Sequence, residues 1–225
     1  MKRVGFILLA LLFIQQLHAQ HFMAGLSGSG LVSDVQGTDT RDFDNDFYKA
    51  GFSLGAFVNR QMSDKNILQL EINYIQKGAE QVPDSNNNGY FKLTLNYIEV
   101  PVLLRHRIHF NANNKFYNNF EWELGVSGGY LFSYNFINGT GYSYTYSAGS
   151  LNTIDISVLG GINYILSPSV YVGLRYSNSL IPVMKRNNLP STFNQYSLAF
   201  NDGNNLVWAF SLKYVIAGKQ EVSKE

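Results

Sequence analysis

From Ile98 onward, the even positions of Leu93–Arg105 are Ile98, Val100, Val102 and Leu104, while the odd positions include Tyr97, Glu99 and Arg105. An apolar/polar alternation of period two predicts a strand with two unlike faces. One face is aliphatic. The other carries opposite charges, which must be paired if they are buried. A soluble sandwich turns such charges outward, and a membrane barrel turns them into its lumen. This strand alone does not choose between the two.

The same period recurs along the chain and predicts eight strands, at about 21–32, 50–60, 66–78, 90–108, 119–134, 151–166, 169–180 and 204–217. No stretch after the amino-terminal region shows helical periodicity. In the third strand, Leu68, Leu70, Ile72 and Tyr74 alternate with Gln69, Glu71 and Asn73. In the fifth, Phe120, Trp122, Leu124, Val126, Tyr130, Phe132 and Tyr134 share a face opposite Glu121, Glu123, Ser127 and Gly129. In the sixth, Ile154, Ile156 and Val158 oppose Asp155, Ser157 and Asn163. In the seventh, Val172 and Leu174 oppose Gly173 and Arg175. In the eighth, Trp208, Phe210 and Leu212 oppose Ser211 and Lys213. A soluble core has no reason to set Gly and Ser among charges on its polar face. A narrow lumen has one, because small residues leave room for a few long charged ones.

The connections support the same reading. Ser33–Lys49, Ala79–Gly89, Asn135–Ser150 and Ile181–Gly203 are long, Gln61–Lys65 and Ser167-Pro168 are short, and His109–Asn118 is intermediate. Alternating long and short connections fit an eight-stranded antiparallel up-and-down transmembrane β-barrel, with tight turns and both termini on the periplasmic side. In the fifth strand, Trp122 and Phe132 are ten residues apart, about 23 Å of depth at ordinary rise and tilt. That separation matches two aromatic girdles, with Tyr130, Phe132 and Tyr134 at one of them.

Met1–Gln20 has a basic start, Lys2 and Arg3, an apolar run from Val4 to Ile14, and Leu17-His18-Ala19. This is the pattern of a secretory leader cut after Ala19. The run of about 11 residues is short of the ~20 that a membrane helix needs. The expected organisation is a leader at 1–19, a barrel at 20–217 and a periplasmic tail at 218–225. Without Lys2 and Arg3, 15 of the 17 basic side chains remain against 16 acidic ones, a formal charge of −1. No basic stripe suggests nucleic acid. The chain has no Cys, which excludes disulfides, thiolate metal sites and a cysteine nucleophile.

Asn96-Tyr97-Ile98-Glu99-Val100-Pro101-Val102-Leu103-Leu104-Arg105 resembles the Y-[LI]-E-[IV]-P-[LV]-L-[LI] stretch of the PorT-like outer-membrane β-barrel family of Bacteroidetes. Leu70–Gly78 is similar to that family's E-[LI]-x-Y-x-x-K-G strand, and Gly173-Leu174-Arg175-Tyr176 to its L-R-Y strand. The opening Ala24–Ser27 and Gly51–Gly55 fit as well. The chain departs from the pattern by running on through Ala217–Glu225 after the last strand. The resemblance implies an eight-stranded barrel in the outer membrane, and a link to protein secretion in some relatives. The motifs it rests on are structural.

Glu71, Glu99, Arg105, Glu123, Asp155, Arg175 and Lys213 are expected to form a charge network in the lumen, with Glu121 at a solvated end. The network is read as a structural filling, because eight strands enclose a space that side chains can fill. His106 and His109, three apart in an extended segment, face opposite sides, which is poor metal geometry. No catalytic, cofactor or metal site is expected. Asn138-Gly139-Thr140 has the form of a glycosylation acceptor. Tyr142–Tyr146 reads as an extension of the neighbouring strands. Pro101 cannot donate to a ladder and predicts a local break in pairing. The expected function is a non-catalytic outer-membrane scaffold or accessory, a monomeric barrel contacting outer-membrane lipid and an envelope protein. A small pore, a solute transporter and a surface-binding protein are the alternatives.

Overall fold

The computed structural model of the protein describes residues 22–36, 48–82, 90–108, 119–138, 143–146, 151–183 and 203–218. The expected leader and tail, together with His18, His21, His109, Gly139 and Thr140, lie outside the described residues. The strands are β1 (Phe22–Gln36), β2 (Lys49–Gln61), β3 (Asn66–Gln81), β4 (Phe91–Arg107), β5 (Phe120–Asn138), β6 (Ser143–Tyr146), β7 (Ile154–Ser167), β8 (Val170–Ser179) and β9 (Asn204–Ala217). All pairings are antiparallel. They run from β1 through β5, then through β7 and β8 to β9, and β9 returns to β1. Eight strands thus close an up-and-down barrel. Among the described residues β6 lies outside the ring and pairs with Tyr134–Ile137 of β5, so part of the expected fifth loop is strand. Among the described residues no helix is long and apolar enough to cross a membrane, which says nothing of strands.

The tight connections β2–β3 and β7–β8 lie at the end where β1 begins and β9 finishes, here called the terminal end. The opposite end carries the long loops. Alternation sets the wall: along β4, every odd residue is buried and the even ones from Ile98 to Leu104 are exposed. Leu70, Ile72, Val126, Leu174, Phe210 and Leu212 are 43–62 % exposed on the outside. A continuous apolar exterior of this kind suits lipid and not water.

Besides register shifts at Ala24/Gly25 and Ile165/Ser167, two irregularities shape the wall. Between β3 and β4, Leu70 pairs with Val102 and Asn73 with Glu99, but Val100 and Pro101 have no partner on β3. The register is the same on both sides of this gap. Pro101 still faces Ser127 of β5, so its missing N–H interrupts one ladder only. The second irregularity is in β5, where Asn96 pairs with Ser133 and Tyr97 with Leu131, leaving Phe132 as an extra residue. Such a bulge exchanges the two faces beyond it. Phe132 is exposed, whereas Tyr134 and Phe136 are buried inside. This corrects the expectation that Tyr134 faces outward in a girdle.

Gly78 of β3 has φ +142°, and a Cβ there would run into the Leu93 carbonyl. The Ser33 hydroxyl donates to the Gly78 carbonyl at 3.0 Å, tying β1 to β3.

Candidate functional site

Odd positions of β3 and β4 point inward, as do Glu121 and Glu123 of β5, Asp155 and Asn163 of β7, Arg175 of β8 and Lys213 of β9. Their charged side chains gather in two clusters.

The larger cluster centres on Arg175. Its Nη1 and Nη2 donate to Glu71 Oε2 and Oε1 at 2.9 and 2.8 Å, and its Nε donates to Glu123 Oε1 at 2.6 Å. One guanidinium thus ties β8 to β3 and β5 across the lumen. Lys213 donates to Glu123 Oε2 at 2.9 Å and to Asn163 Oδ1 at 3.1 Å, and Asn163 donates to Glu123 Oε2 at 2.7 Å. Asn73 and Gln69 each donate to Glu71. Towards the terminal end, Arg105 pairs with Glu121, donates to Gln69 at 2.7 Å and lies over the Tyr171 ring. Arg107 reaches Glu121 at 3.6 Å.

The second cluster lies nearer the long loops. Lys77 pairs with Glu99 and, at 3.2 Å, with Asp155. Ser157, Ser179 and Asn205 all donate to Asp155, and Asn205 also donates to the Tyr97 hydroxyl at 3.3 Å. The five carboxylates Glu71, Glu99, Glu121, Glu123 and Asp155 therefore meet five cations, Lys77, Arg105, Arg107, Arg175 and Lys213. Charges out of water are tolerable only with such dense pairing and hydrogen bonding.

Glu121 is fully buried and paired with Arg105 and Arg107, so the expectation of a solvated end there is corrected. Lys77 and Arg107 were missing from the expected network. Both sit at odd positions in strands whose odd positions were already assigned to the lumen, so parity alone would have found them.

An apolar cluster lies at each end of the interior, beside polar groups. At the terminal end, Met23, Phe57, Tyr171 and Val215 pack together. At the long-loop end, Leu93, Leu95, Tyr97, Leu131, Tyr134 and Phe136 pack with Val35, Leu151, Val183 and Val207. Here the outward residues become polar. Asn96 Nδ2 donates to Ser133 Oγ at 3.0 Å, Gln76 donates to Asn96 Oδ1 at 3.2 Å, and Lys92 pairs with Glu80 further along. On β4 and β5, from Asn96 and Ser133 towards the long loops, the buried residues are apolar and Asn96, Thr94, Lys92, Ser133 and Asn135 lie on the other face, the reverse of the wall below.

Outside aromatics lie at two levels. Trp122 stacks on His106 and Phe120 meets Tyr164 towards the terminal end. Phe52, Tyr74 and Phe132 form a chain, and Tyr176 meets Trp208, towards the long loops. His106 Nδ1 is 2.7 Å from Asn66 Oδ1, so it belongs to the girdle. Among the described residues no group of three or more His, Cys, Asp or Glu could hold a metal ion.

Residues 15–185 match the family described as outer membrane protein beta-barrel domain, and the chain belongs to that family. It is an outer-membrane β-barrel protein. No curated protein matches its sequence. Among solved structures it is similar to Neisserial surface protein A, at 13% identity over 87% of this chain and 97% of that one, with a TM-score of 0.46. It is similar to Ail, the attachment invasion locus protein of Yersinia pestis, at 14% over 86% and 98%, TM-score 0.46. It is also similar to CarO of Acinetobacter baumannii, at 12% over 84% and 97%, TM-score 0.43.

Proposed function

We propose that this protein is a non-catalytic scaffold or accessory of the outer membrane, acting through its long loops or its periplasmic face rather than by conduction. The observation that carries this reading is the filled interior. Arg175 bridges the lumen to Glu71 and Glu123, and an apolar cluster lies at each end. A pathway for ions would have to break buried ion pairs and hydrate apolar packing. In this reading both termini are periplasmic, the barrel is a monomer in outer-membrane lipid, and its partner is a protein of the envelope. The motifs at Leu70–Gly78, Asn96–Arg105 and Gly173–Tyr176 support placing it in the PorT-like branch, some of whose members are linked to secretion.

Purified protein in planar bilayers is expected to show no steady current, and gentle extraction from native membranes is expected to bring down an envelope protein with it. Stable single-channel steps without a co-purifying partner would replace this reading with the small pore.

A further inference from the structure

Between the two charge clusters the lumen holds a chamber of about 30 Å³. Its wall includes Ser29, Ser53, Ser177, Asn73, Glu99 and Arg175, contributed by five strands. The orientation of Asn73 is fixed, because its amide nitrogen donates to Glu71 Oε2 at 2.8 Å. Its carbonyl Oδ1 then finds no partner among the protein groups, although the residue is only 7% exposed. That oxygen packs against Gly55 of β2, so the groups that face the chamber are the serine hydroxyls, Glu99 and Arg175. Lys77 bonds one oxygen of Glu99, Oε1, and the carboxylate has a second with which to accept. Serine hydroxyls can both donate and accept.

We propose that this chamber is an internal water site, and that its water joins the two ion-pair clusters into one hydrogen-bonded column. The volume admits about two waters, since one needs roughly 10–15 Å³ of such space, and it admits nothing much larger. Charge selects the same occupant. The Arg175 guanidinium opposes a bare cation and the Glu99 carboxylate opposes an anion, whereas a dipolar neutral molecule satisfies both. Apolar clusters lie between the chamber and each mouth of the barrel, which slows exchange of its water.

The test is oxygen-17 magnetic relaxation dispersion on the folded protein in nanodiscs, alongside a high-resolution crystal structure grown with rubidium bromide. The expected result is a long-lived water signal, density within hydrogen-bonding distance of Glu99 and a serine hydroxyl of the chamber wall, and no anomalous scattering in the chamber. The variant Ser53→Leu, which fills the chamber, is expected to lose that signal. If it does not fold, the crystal structure of the parent decides. A dry chamber, rubidium or bromide in it, or a long-lived signal unchanged in folded Ser53→Leu overturns the proposal.

Discussion

The barrel wall and the section that projects beyond it are built from the same strands for opposite surroundings. On β4, Ile98, Val100, Val102 and Leu104 face outward around a lumen of Glu99 and Arg105. A few residues earlier, Lys92, Thr94 and Asn96 face outward around Leu93 and Leu95. The first arrangement suits hydrocarbon outside, and the second suits water. β4 makes the exchange by changing residue types at constant parity. β5 makes it by inserting Phe132, so that Tyr134 and Phe136 turn in where Tyr130 and Phe132 faced out. A strand can thus pass from one solvent to another through its composition or through its backbone, and neighbouring strands here use one each.

The strongest way to break the wall is from inside. Arg175→Ala leaves Glu71 and Glu123 without their shared partner, and is expected to cost roughly 3–5 kcal/mol, read as a fall in melting temperature in detergent. A parent-like melt would mean that the pairs across the lumen do not hold β8 to β3 and β5.

Two lysine substitutions on one face of β4 compare the solvents directly. Val102→Lys puts a charge against hydrocarbon and is expected to cost about 2–4 kcal/mol near the bilayer midplane, measured by reversible denaturation from vesicles. Thr94→Lys, on the same face but beyond Asn96, is expected to stay within about 0.5 kcal/mol. Equal costs at the two positions would remove the boundary drawn at Asn96 and Ser133.

The smallest effect tests the bulge. Spin labels at Phe132 and Tyr134 would both be accessible to oxygen if β5 alternated without interruption. Accessibility is expected at position 132 and protection at 134.

Parity carried much of the sequence reading, because a period of two is fixed by the pleat. It placed Ile98–Leu104 opposite Glu99 and Arg105, and the break at Pro101 followed from the missing N–H. The bulge left no such mark. Leu131, Phe132, Ser133 and Tyr134 alternate in size and polarity as an uninterrupted strand would, and the register shift is set by pairing with Asn96 and Tyr97 on β4. The apolar clusters at the ends of the interior were also hidden. Leu93 and Leu95 look the same whether they face lipid or a packed interior, and deciding requires knowing where the membrane stops. Glu121 was placed at a solvated end because its position along the barrel axis depends on the stagger of neighbouring strands, which one strand does not reveal.

The seam between β1 and β9 runs from Ala24 with Ala217 to Gln36 with Asn204. It joins segments made early and late in synthesis, the most non-local pairing in the ring, and such pairings form slowly. Until β9 arrives, β1 offers an unpaired edge, and so does every strand most recently made. An open, apolar-faced sheet of that kind recruits other chains. Closure of the ring therefore waits on the last strand, and until then both edges of the sheet stay open.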